Sequence, residues 1–139
     1  MTEMRHPLDP IFKPRSIAVI GASRKKGSIG WEILHNIVEY EFNGKVFPVN
    51  PHAEVIHSIK CFPSVLDIPD PVDLAIIVVP KEEVLRVVDE CGQKGVRGLV
   101  VITAGFKETG PAGLEREQKL VEKIRHYGMR MICLLYTSD

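Results

Sequence analysis

The residues best suited to bind a ligand lie in one short segment near the N-terminus. Three glycines, Gly21, Gly27 and Gly30, alternate there with two serines, Ser23 and Ser28, and with three consecutive cations. Glycine allows tight turns and close approach of the backbone to a ligand, while serine hydroxyls cap helices or bind phosphate. This combination predicts a phosphate-binding loop. The alternative is an ordinary connection between a strand and a helix.

The sequence on either side of the loop predicts a strand before it and a helix after it. Residues 17–20 form an apolar run typical of a buried strand, and apolar residues recur at helical spacing over 29–37. The first N–H groups of a helix have no partner within it, so they attract phosphate. We expect at least one of the cations Arg24, Lys25 and Lys26 to contact that phosphate, and Trp31 to pack against the strand or line the loop.

Composition limits the kind of partner. Among 139 residues, 18 Lys and Arg balance 18 Asp and Glu, so the net charge is zero and no global field favours nucleic acid or a membrane surface. No apolar run approaches the roughly 18 residues of a membrane-spanning helix, and residues 1–9 lack the apolar segment of a signal peptide. We therefore expect a cytoplasmic protein whose anion site is local.

Neither the cysteines nor the histidines predict catalysis or metal binding. Cys61, Cys91 and Cys133 are odd in number and far apart, which predicts reduced, buried thiols and neither a disulfide framework nor a zinc site. The five histidines are scattered over predicted leader, helices and connecting loop: His6, His35, His52, His57 and His126. We assign no catalytic residue and no metal site.

The remaining sequence alternates between predicted strands and helices. Residues 1–15 predict a leader anchored by Leu8, Ile11 and Phe12. Strands are predicted over 17–20, 45–49, 72–79, 99–103 and 129–135, and helices over 28–40, 81–94 and 112–127. In the last helix, four residues are expected to face inward: Leu114, Leu120, Val121 and Ile124. Residues 52–68 are predicted to be an irregular connection with one short helical turn and no chemistry.

This alternation predicts an α/β fold: a Rossmann-like domain over residues 16–135, with a doubly wound parallel sheet of five strands in the order 3-2-1-4-5. In that order the sheet reverses between strands 1 and 4, and ligands bind outside the carboxyl ends of the strands at such a point. Four segments are expected to converge there: the Gly21 loop, Asn50-Pro51, Val79-Pro80 and Thr103-Ala104-Gly105.

Two positions argue against a nicotinamide dinucleotide as the ligand. Ser23 stands where a dinucleotide-binding loop has its second glycine, and Asn50 stands where an acidic residue would hold the ribose hydroxyls. Coenzyme A (CoA), with its extra 3′-phosphate, fits the basic loop better. Half of a nicotinamide-dependent oxidoreductase remains the least favoured alternative.

Five segments together resemble the N-terminal CoA-binding domain of NDP-forming acyl-CoA synthetases. They are IAVIGAS at 17–23, GSIG at 27–30, FPVNP at 47–51, VDLAI at 72–76 followed by Pro80, and ITAGFKE at 102–108. That family includes the ADP-forming acetate-CoA ligases and is similar to the α subunit of succinyl-CoA synthetase. The resemblance covers about residues 8–131.

The resemblance implies a role for each segment. The residues that would wrap the CoA phosphates are Gly21, Ala22, Ser23, Gly27, Ser28 and Gly30. Asn50 and Pro51 would flank the adenosine, and Val79 and Pro80 would border the pantetheine. Ile102, Thr103 and Ala104 would lie along its path toward the thiol. His52 stands where many relatives carry a lysine, for which Lys45 or Arg24 could substitute.

The resemblance also implies a reaction that this sequence does not complete. In the family, acyl-CoA and phosphate are converted reversibly to free acid, CoA and ATP, through acyl phosphate and phosphohistidine intermediates. The phosphohistidine and ATP-grasp domains, which use ATP or ADP and Mg²⁺, would lie outside this chain, so the chain alone is expected to bind without turnover. We expect residues 133–139, which look like an abrupt truncation, to depart from the family pattern, and we assign them no function.

A second reading of the same resemblance is regulatory. The domain could be the CoA-binding module of a protein acetyltransferase-type fusion, or a stand-alone CoA sensor. The sequence following residue 131 in a complete gene would distinguish these readings from the ligase.

Overall fold

The computed structural model describes residues 11, 13–40, 42–103 and 111–135. The strands are β1 (Ser16–Ile20), β2 (Lys45–Val49), β3 (Val55–Ile56), β4 (Ile59–Lys60), β5 (Leu74–Ile77), β6 (Gly98–Thr103) and β7 (Arg130–Leu135). The helices are α1 (Ile29–Glu39), α2 (Lys81–Lys94) and α3 (Pro111–Tyr127), with a 3₁₀ turn at Val65–Asp67. Every predicted helix and main strand is present, with ends that differ by at most two residues.

The main sheet has five parallel strands in the spatial order β2-β1-β5-β6-β7. The prediction of a Rossmann-like α/β fold with a five-stranded parallel sheet is confirmed. The predicted order 3-2-1-4-5 is wrong, because the third main strand, β5, pairs with β1 and not with β2. The order is therefore 2-1-3-4-5 in main-strand numbering, and the reversal lies between β1 and β5.

The composition of the two strands explains this placement. Pro48 lies within β2, and since proline has no N–H to donate, a proline-containing strand suits the edge of a sheet. In β5, by contrast, Leu74, Ala75 and Ile77 are all buried. A strand buried in this way belongs in the interior of a parallel sheet, with neighbours on both sides and cover on both faces.

Helices cover both faces of the sheet, as the doubly wound prediction requires. On one face, Ile17 and Val19 of β1 pack in a cluster with Leu34 of α1. On the other face, Ala18 and Ile20 join a larger cluster with buried residues of α2 and α3: Val84, Val87, Val88, Cys91 and Leu120. The buried residues of α2 recur at helical spacing, and the helix stops at Gly95, whose φ of 90° is left-handed.

Two of the inward positions predicted for α3 are wrong. Leu120 is buried and Ile124 packs against the core, but Leu114 is 57% exposed and Val121 is 38% exposed. At 3.6 residues per turn, Leu114 and Val121 lie roughly 100° or more around the helix from Leu120. The buried stripe instead continues through Ile124 to Tyr127, which also packs against the core.

The segment predicted to be irregular contains a small antiparallel hairpin, β3–β4. Its turn residues, His57 and Ser58, have φ values of 55° and 62°. Asn-Gly is the usual sequence for such a turn, and because His-Ser stands here instead, the sequence did not indicate the hairpin. Beyond the hairpin, the Phe62 carbonyl accepts a hydrogen bond of 2.9 Å from the Asn50 N–H, which ties the segment to the end of β2. Of the expected leader anchors, Ile11 packs against the core, while Leu8 and Phe12 lie outside the described residues.

Candidate ligand-binding site

The glycine loop begins where β1, β2 and β5 meet. The Gly21 N–H donates to the Val49 carbonyl at 3.0 Å, and a Cβ at Gly21 would lie 1.9 Å from the Val78 carbonyl oxygen. Its φ is +96°, a conformation that strongly favours glycine. Gly21 therefore fastens the loop between the carboxyl ends of the two strands that flank β1.

The first turn of α1 packs directly onto the start of the loop. A Cβ at Gly30 would lie 2.1 Å from the Gly21 carbonyl oxygen, and Ala22 is fully buried. The close backbone approach predicted at Gly30 is thus a contact between the helix and the loop. It brings the N-terminus of α1 against the carboxyl end of β1.

The two serines shape the loop. Ser28 is the N-cap of α1: its hydroxyl accepts from the Trp31 N–H at 3.2 Å and donates to the Lys25 carbonyl at 2.7 Å. The Ser23 hydroxyl accepts from the Lys25 N–H at 3.0 Å. Both side chains hold the segment that carries the cations, and Arg24, Lys25 and Lys26 are all exposed on it.

Gly27 marks open space beside the N-terminus of α1. Its φ is +93°, and a Cβ built there would meet no atom within 4 Å. Gly27 itself is exposed, and it follows directly after the three exposed cations. An anion can therefore approach the cationic segment and the first N–H groups of α1 without steric obstruction at this position.

Asn50 has a structural function that explains why an acid is absent. Its side-chain amide donates to the Ala22 carbonyl at 2.8 Å, and its side-chain oxygen accepts from the His52 N–H at 2.7 Å. A carboxylate could not donate the first of these bonds. The Cys61 thiol lies 3.6 Å from the Asn50 backbone carbonyl, and burial raises the pKa of that thiol, which favours its neutral form.

The other predicted site residues occupy the same edge of the sheet at different distances from the loop. Val79 is half-buried, with a side-chain carbon 3.3 Å from the position of a Gly21 Cβ, and Pro80 is exposed at the N-cap of α2. Pro51 is exposed after β2. On β6, two strands from β1, Ile102 is half-buried and Thr103 ends the strand, while Ala104 lies outside the described residues.

The structure places Lys45 away from the glycine loop, so the expectation that it could take the part of a lysine at position 52 is wrong. It pairs with Ser16 at the amino ends of the strands, whereas Gly21 follows the carboxyl end of β1, and its Nζ lies 3.4 Å from an Asp70 carboxylate oxygen.

The corrected strand order places the reversal point between β1 and β5, the strands that α1 and α2 follow in the chain. Of the predicted segments, the glycine loop, Asn50 and Val79 are those brought into direct proximity.

The sequence analysis missed an aromatic cluster next to this loop. The rings of Trp31 and His35 stack with centroids 4.5 Å apart, and His57 lies with its centroid 5.6 Å from that of Trp31. The Nδ1 of His35 and the Nε2 of His57 are 3.1 Å apart, a hydrogen-bond distance. The one sequence signal that could have indicated the cluster is the chain's single tryptophan, three residues after the N-cap serine.

Neither metal nor membrane features emerge from the described part of the chain. Within it, no group of three or more histidine, cysteine or acidic residues could hold a metal ion. None of its helices combines the length and the apolar character needed to cross a bilayer. Cys61 and Cys91 are buried free thiols, as predicted, and the side chain of Cys133 lies outside the described residues.

A glycine loop at a helix N-terminus, at the reversal point of a parallel sheet, defines a Rossmann-like domain that binds a phosphate-bearing coenzyme. The chain matches the CoA binding domain family over residues 15–139 and belongs to that family. This confirms the resemblance drawn from the five sequence segments.

Curated relatives and solved structures agree with this assignment. The chain is 53% identical over 125 residues to the α subunit of an ADP-forming acetate-CoA ligase of Pyrococcus furiosus, covering 90% of this chain and 27% of that protein. It is 44% identical to an ADP-forming 4-hydroxybutyrate-CoA ligase of Nitrosopumilus maritimus, covering 88% of this chain and 18% of that protein. It superimposes on a dinucleotide-forming acetyl-coenzyme A synthetase of Ca. Korarchaeum cryptofilum with a TM-score of 0.85 and 49% identity, covering 90% of this chain and 27% of the other.

The domain is thus homologous to the N-terminal α-subunit region of ADP-forming acetyl-CoA synthetases. It spans less than a third of the length of each of these relatives.

Proposed function

We propose that this chain binds coenzyme A, with the phosphates at the glycine loop and the N-terminus of α1, as the CoA-binding part of an ADP-forming acyl-CoA ligase. The observation that carries the proposal is the position of the loop. Gly21 joins it to the ends of β2 and β5, Gly30 joins it to α1, and its exposed cations adjoin the open space at Gly27.

The proposed contacts follow the geometry of the sheet edge. The phosphates would meet the loop residues Gly21, Ala22, Ser23, Arg24, Gly27, Ser28 and Gly30. The adenosine would lie toward Asn50 and Pro51, and the pantetheine would pass Val79 and Pro80. Ile102, Thr103 and Ala104 would then border its path to the thiol. The proposal is supported by the position of these residues: those that the structure describes all lie at or beyond the carboxyl ends of the parallel strands.

The wider reaction is proposed from the relatives. Their names identify ligases that form ADP and act on acetate or 4-hydroxybutyrate. In the proposed whole protein, domains outside this chain carry the phosphohistidine, ATP or ADP and Mg²⁺, and the protein acts in the cytoplasm. This chain supplies CoA binding and thiol orientation, and by itself it binds CoA without turnover.

Calorimetric titration of the 139-residue chain with CoA tests the proposal. We expect CoA to bind more tightly than dephospho-CoA, since the cations can engage the 3′-phosphate, and NAD to bind weakest. Gly27→Glu should abolish CoA binding, because it places a carboxylate where the phosphates would lie.

Gly95→Glu is the matched control. Gly95 has a φ of +90° and no atom within 4 Å of its Cβ position, so the backbone strain and added charge are the same, but it lies at the C-terminal end of α2. CoA should bind this variant as it binds the unmodified chain. Preferential binding of NAD, or equal loss of CoA binding in both variants, would contradict the proposal.

A further inference from the structure

The indole of Trp31 is in contact with a cation of the glycine loop. The Nζ of Lys26 lies over the ring, 5.8 Å from its centroid. An ammonium group within about 6 Å of an indole centroid is attracted to the π-electrons of the ring. Lys26 is the last of the three exposed loop cations, and this contact attaches its side chain to α1.

The indole is itself held by neighbouring groups. The Trp31 N–H donates to the hydroxyl of Ser28, the N-cap of α1, at 3.2 Å. The His35 ring, one turn further along α1, stacks on the indole with centroids 4.5 Å apart and planes inclined by 12°. His57 of the β3–β4 hairpin has its centroid 5.6 Å from that of the indole and its Nε2 3.1 Å from Nδ1 of His35. The ring that Lys26 contacts is thus packed against side chains of two elements.

The contact keeps a positive charge beside the N-terminus of α1. Trp31 is the third residue of that helix. Gly27, which separates Lys26 from the N-cap, is exposed and has no atom within 4 Å of its Cβ position. The first N–H groups of a helix and a nearby ammonium group attract the same kind of anion. A phosphate that enters this space can therefore be bound by the helix and by Lys26 together.

Contact with a ring prepares a lysine for such binding. When a ligand must itself order a long, flexible side chain, the affinity falls by roughly 2- to 12-fold. A lysine that already lies on a fixed ring has lost much of this freedom before the ligand arrives. Its ammonium group carries three N–H donors, so contact with the ring leaves donors for phosphate oxygens.

We propose that Trp31 is a positioning residue for phosphate binding: its indole, packed against His35 and His57, holds the ammonium group of Lys26 in place to bind a phosphate oxygen at the N-terminus of α1. This inference rests on the proposed function, since it requires the phosphates of CoA at the loop. Trp31 acts through Lys26 and needs no contact with the phosphate.

Two other roles for the ring predict different results. If the aromatic cluster only fastens the hairpin to α1, loss of the Trp31 ring affects CoA binding equally with and without Lys26. If the indole keeps Lys26 away from the ligand, loss of the ring strengthens CoA binding.

A double-mutant cycle, measured by calorimetric titration of the 139-residue chain with CoA, separates these roles. Trp31→Leu keeps an apolar side chain and removes the π-system, so it should weaken CoA binding by about 2- to 12-fold. Lys26→Gln should weaken binding at least as much. Combined with Lys26→Gln, Trp31→Leu should have no further effect, because no ammonium group remains for the ring to position.

Lys25→Gln is the matched control background. It removes the same charge from the neighbouring exposed residue. Combined with Lys25→Gln, Trp31→Leu should weaken CoA binding by the same factor as in the unmodified chain. Trp31→Phe keeps an aromatic face for the cation and should recover part of the loss. Circular dichroism identifies the variants that are folded.

Trp31 emission gives a second measurement that needs no substitution at position 31. Because Trp31 is the chain's single tryptophan, the emission reports on this ring alone. A charge close to an indole changes the energy of its excited state, so Lys26→Gln should shift the emission of the unliganded chain. Lys25→Gln should leave the emission unchanged. If Trp31→Leu does not fold, this comparison decides the matter.

The outcomes separate this inference from the proposed function. Suppose that CoA binds, but that Trp31→Leu changes its affinity equally with and without Lys26, that it strengthens binding, or that Lys26→Gln does not shift the emission. Any of these results would show that Trp31 does not position Lys26, and CoA binding would stand. If calorimetry shows no CoA binding to the folded chain, the proposed function fails and the positioning role fails with it.

Discussion

Gly21 and Gly27 share a left-handed backbone conformation but lie in very different surroundings. Their φ values are +96° and +93°. A Cβ at Gly21 would lie 1.9 Å from the Val78 carbonyl oxygen, whereas a Cβ at Gly27 would meet nothing within 4 Å. Gly21 is therefore required both by packing and by its backbone conformation. Gly27 is required by its backbone conformation and keeps the loop accessible.

Alanine at these two positions should separate the two requirements. Gly27→Ala should lower the free energy of unfolding by about 1–2 kcal/mol, the strain of a side chain at positive φ. Gly21→Ala should lower it by roughly 3 kcal/mol or more, because the clash with Val78 adds to that strain. Urea denaturation of both variants measures the difference. Equal losses would mean that the carboxyl ends of β1 and β5 are not held together at Gly21.

A second residue-scale effect concerns the thiol of Cys91. Burial, with a smaller contribution from the charge of Glu90, raises the pKa of this thiol from 9.0 to about 12. The unfolded chain loses the thiol proton above about pH 9 while the folded chain keeps it. The contribution to stability is therefore complete below pH 9 and is lost as the pH rises toward 12, by about 1.4 kcal/mol per pH unit.

Replacing Cys91 should flatten the alkaline part of the stability curve. Between pH 9 and pH 11, the free energy of unfolding of Cys91→Ala should fall less steeply than that of the unmodified chain, although the variant is less stable at neutral pH. Val88→Ala is the control, since Val88 is also fully buried on α2 and does not titrate. It should lose stability at neutral pH and keep the steep alkaline slope; identical slopes in all three proteins would show that Cys91 does not cause it.

At the scale of elements, one glycine and one tyrosine form a close contact between α2 and α3. A Cβ at Gly92 would lie 2.2 Å from Cδ2 of Tyr127. The Tyr127 hydroxyl donates to an Asp89 carboxylate oxygen at 2.7 Å, a bond that lowers the pKa of Asp89 and raises that of Tyr127. The absence of a side chain at position 92 thus lets the Tyr127 ring approach α2 closely while its hydroxyl bonds to Asp89.

The effect of Gly92→Ala on the stability of the fold should change sign when Tyr127 is replaced. In the unmodified chain this substitution should destabilise the fold, because the Tyr127 ring must move and lose its bond to Asp89. In a Tyr127→Ala background it should stabilise the fold by about 1 kcal/mol, because alanine is the better helix former and the ring atoms nearest to its methyl group are gone. Thermal or urea unfolding of the four proteins measures the coupling, and additive effects would contradict the predicted contact.

At the scale of the whole molecule, charge is balanced overall and uneven locally. The 18 basic and 18 acidic residues leave no net charge, while three exposed cations stand in a row on the glycine loop. Long-range attraction of an anionic ligand is therefore weak, and most of the salt dependence of CoA binding should come from contacts at the loop.

Replacing residues Arg24, Lys25 and Lys26 by glutamine should weaken CoA binding by about 5- to 100-fold, the range expected from three exposed ion pairs. It should also remove most of the dependence of the affinity on ionic strength. The matched control replaces three cations of α3, Lys119, Lys123 and Arg125, by glutamine, with the same change in net charge. If the control variant loses as much affinity and salt dependence as the loop variant, CoA is attracted by the total charge and not by the loop cations.

The sequence by itself determined the elements and the kind of site. The turn at Gly21, the capping serine at position 28 and the stop at Gly95 are local features, and the apolar periodicity of α2 is carried by neighbouring residues. Such features depend on a few adjacent side chains, so they could be predicted with no knowledge of the rest of the fold. The family could be predicted for the same reason, since its loop motifs are contiguous.

Only the tertiary structure decided how these elements meet. Whether β5 pairs with β1 or with β2 depends on long-range burial. In the structure β5 lies beside β1, and β2, which contains Pro48, is left at the edge of the sheet. The His57 turn is stabilised by contacts with Trp31 and His35, which are over 20 residues away in the chain, and carries no turn signal of its own. Position relative to distant elements also explains why Leu114 and Val121 are exposed on a helix whose ends were predicted to within one residue. Local propensity specifies which segments are helices and strands, and the competition for burial among distant segments specifies their order and the residues that meet at the site.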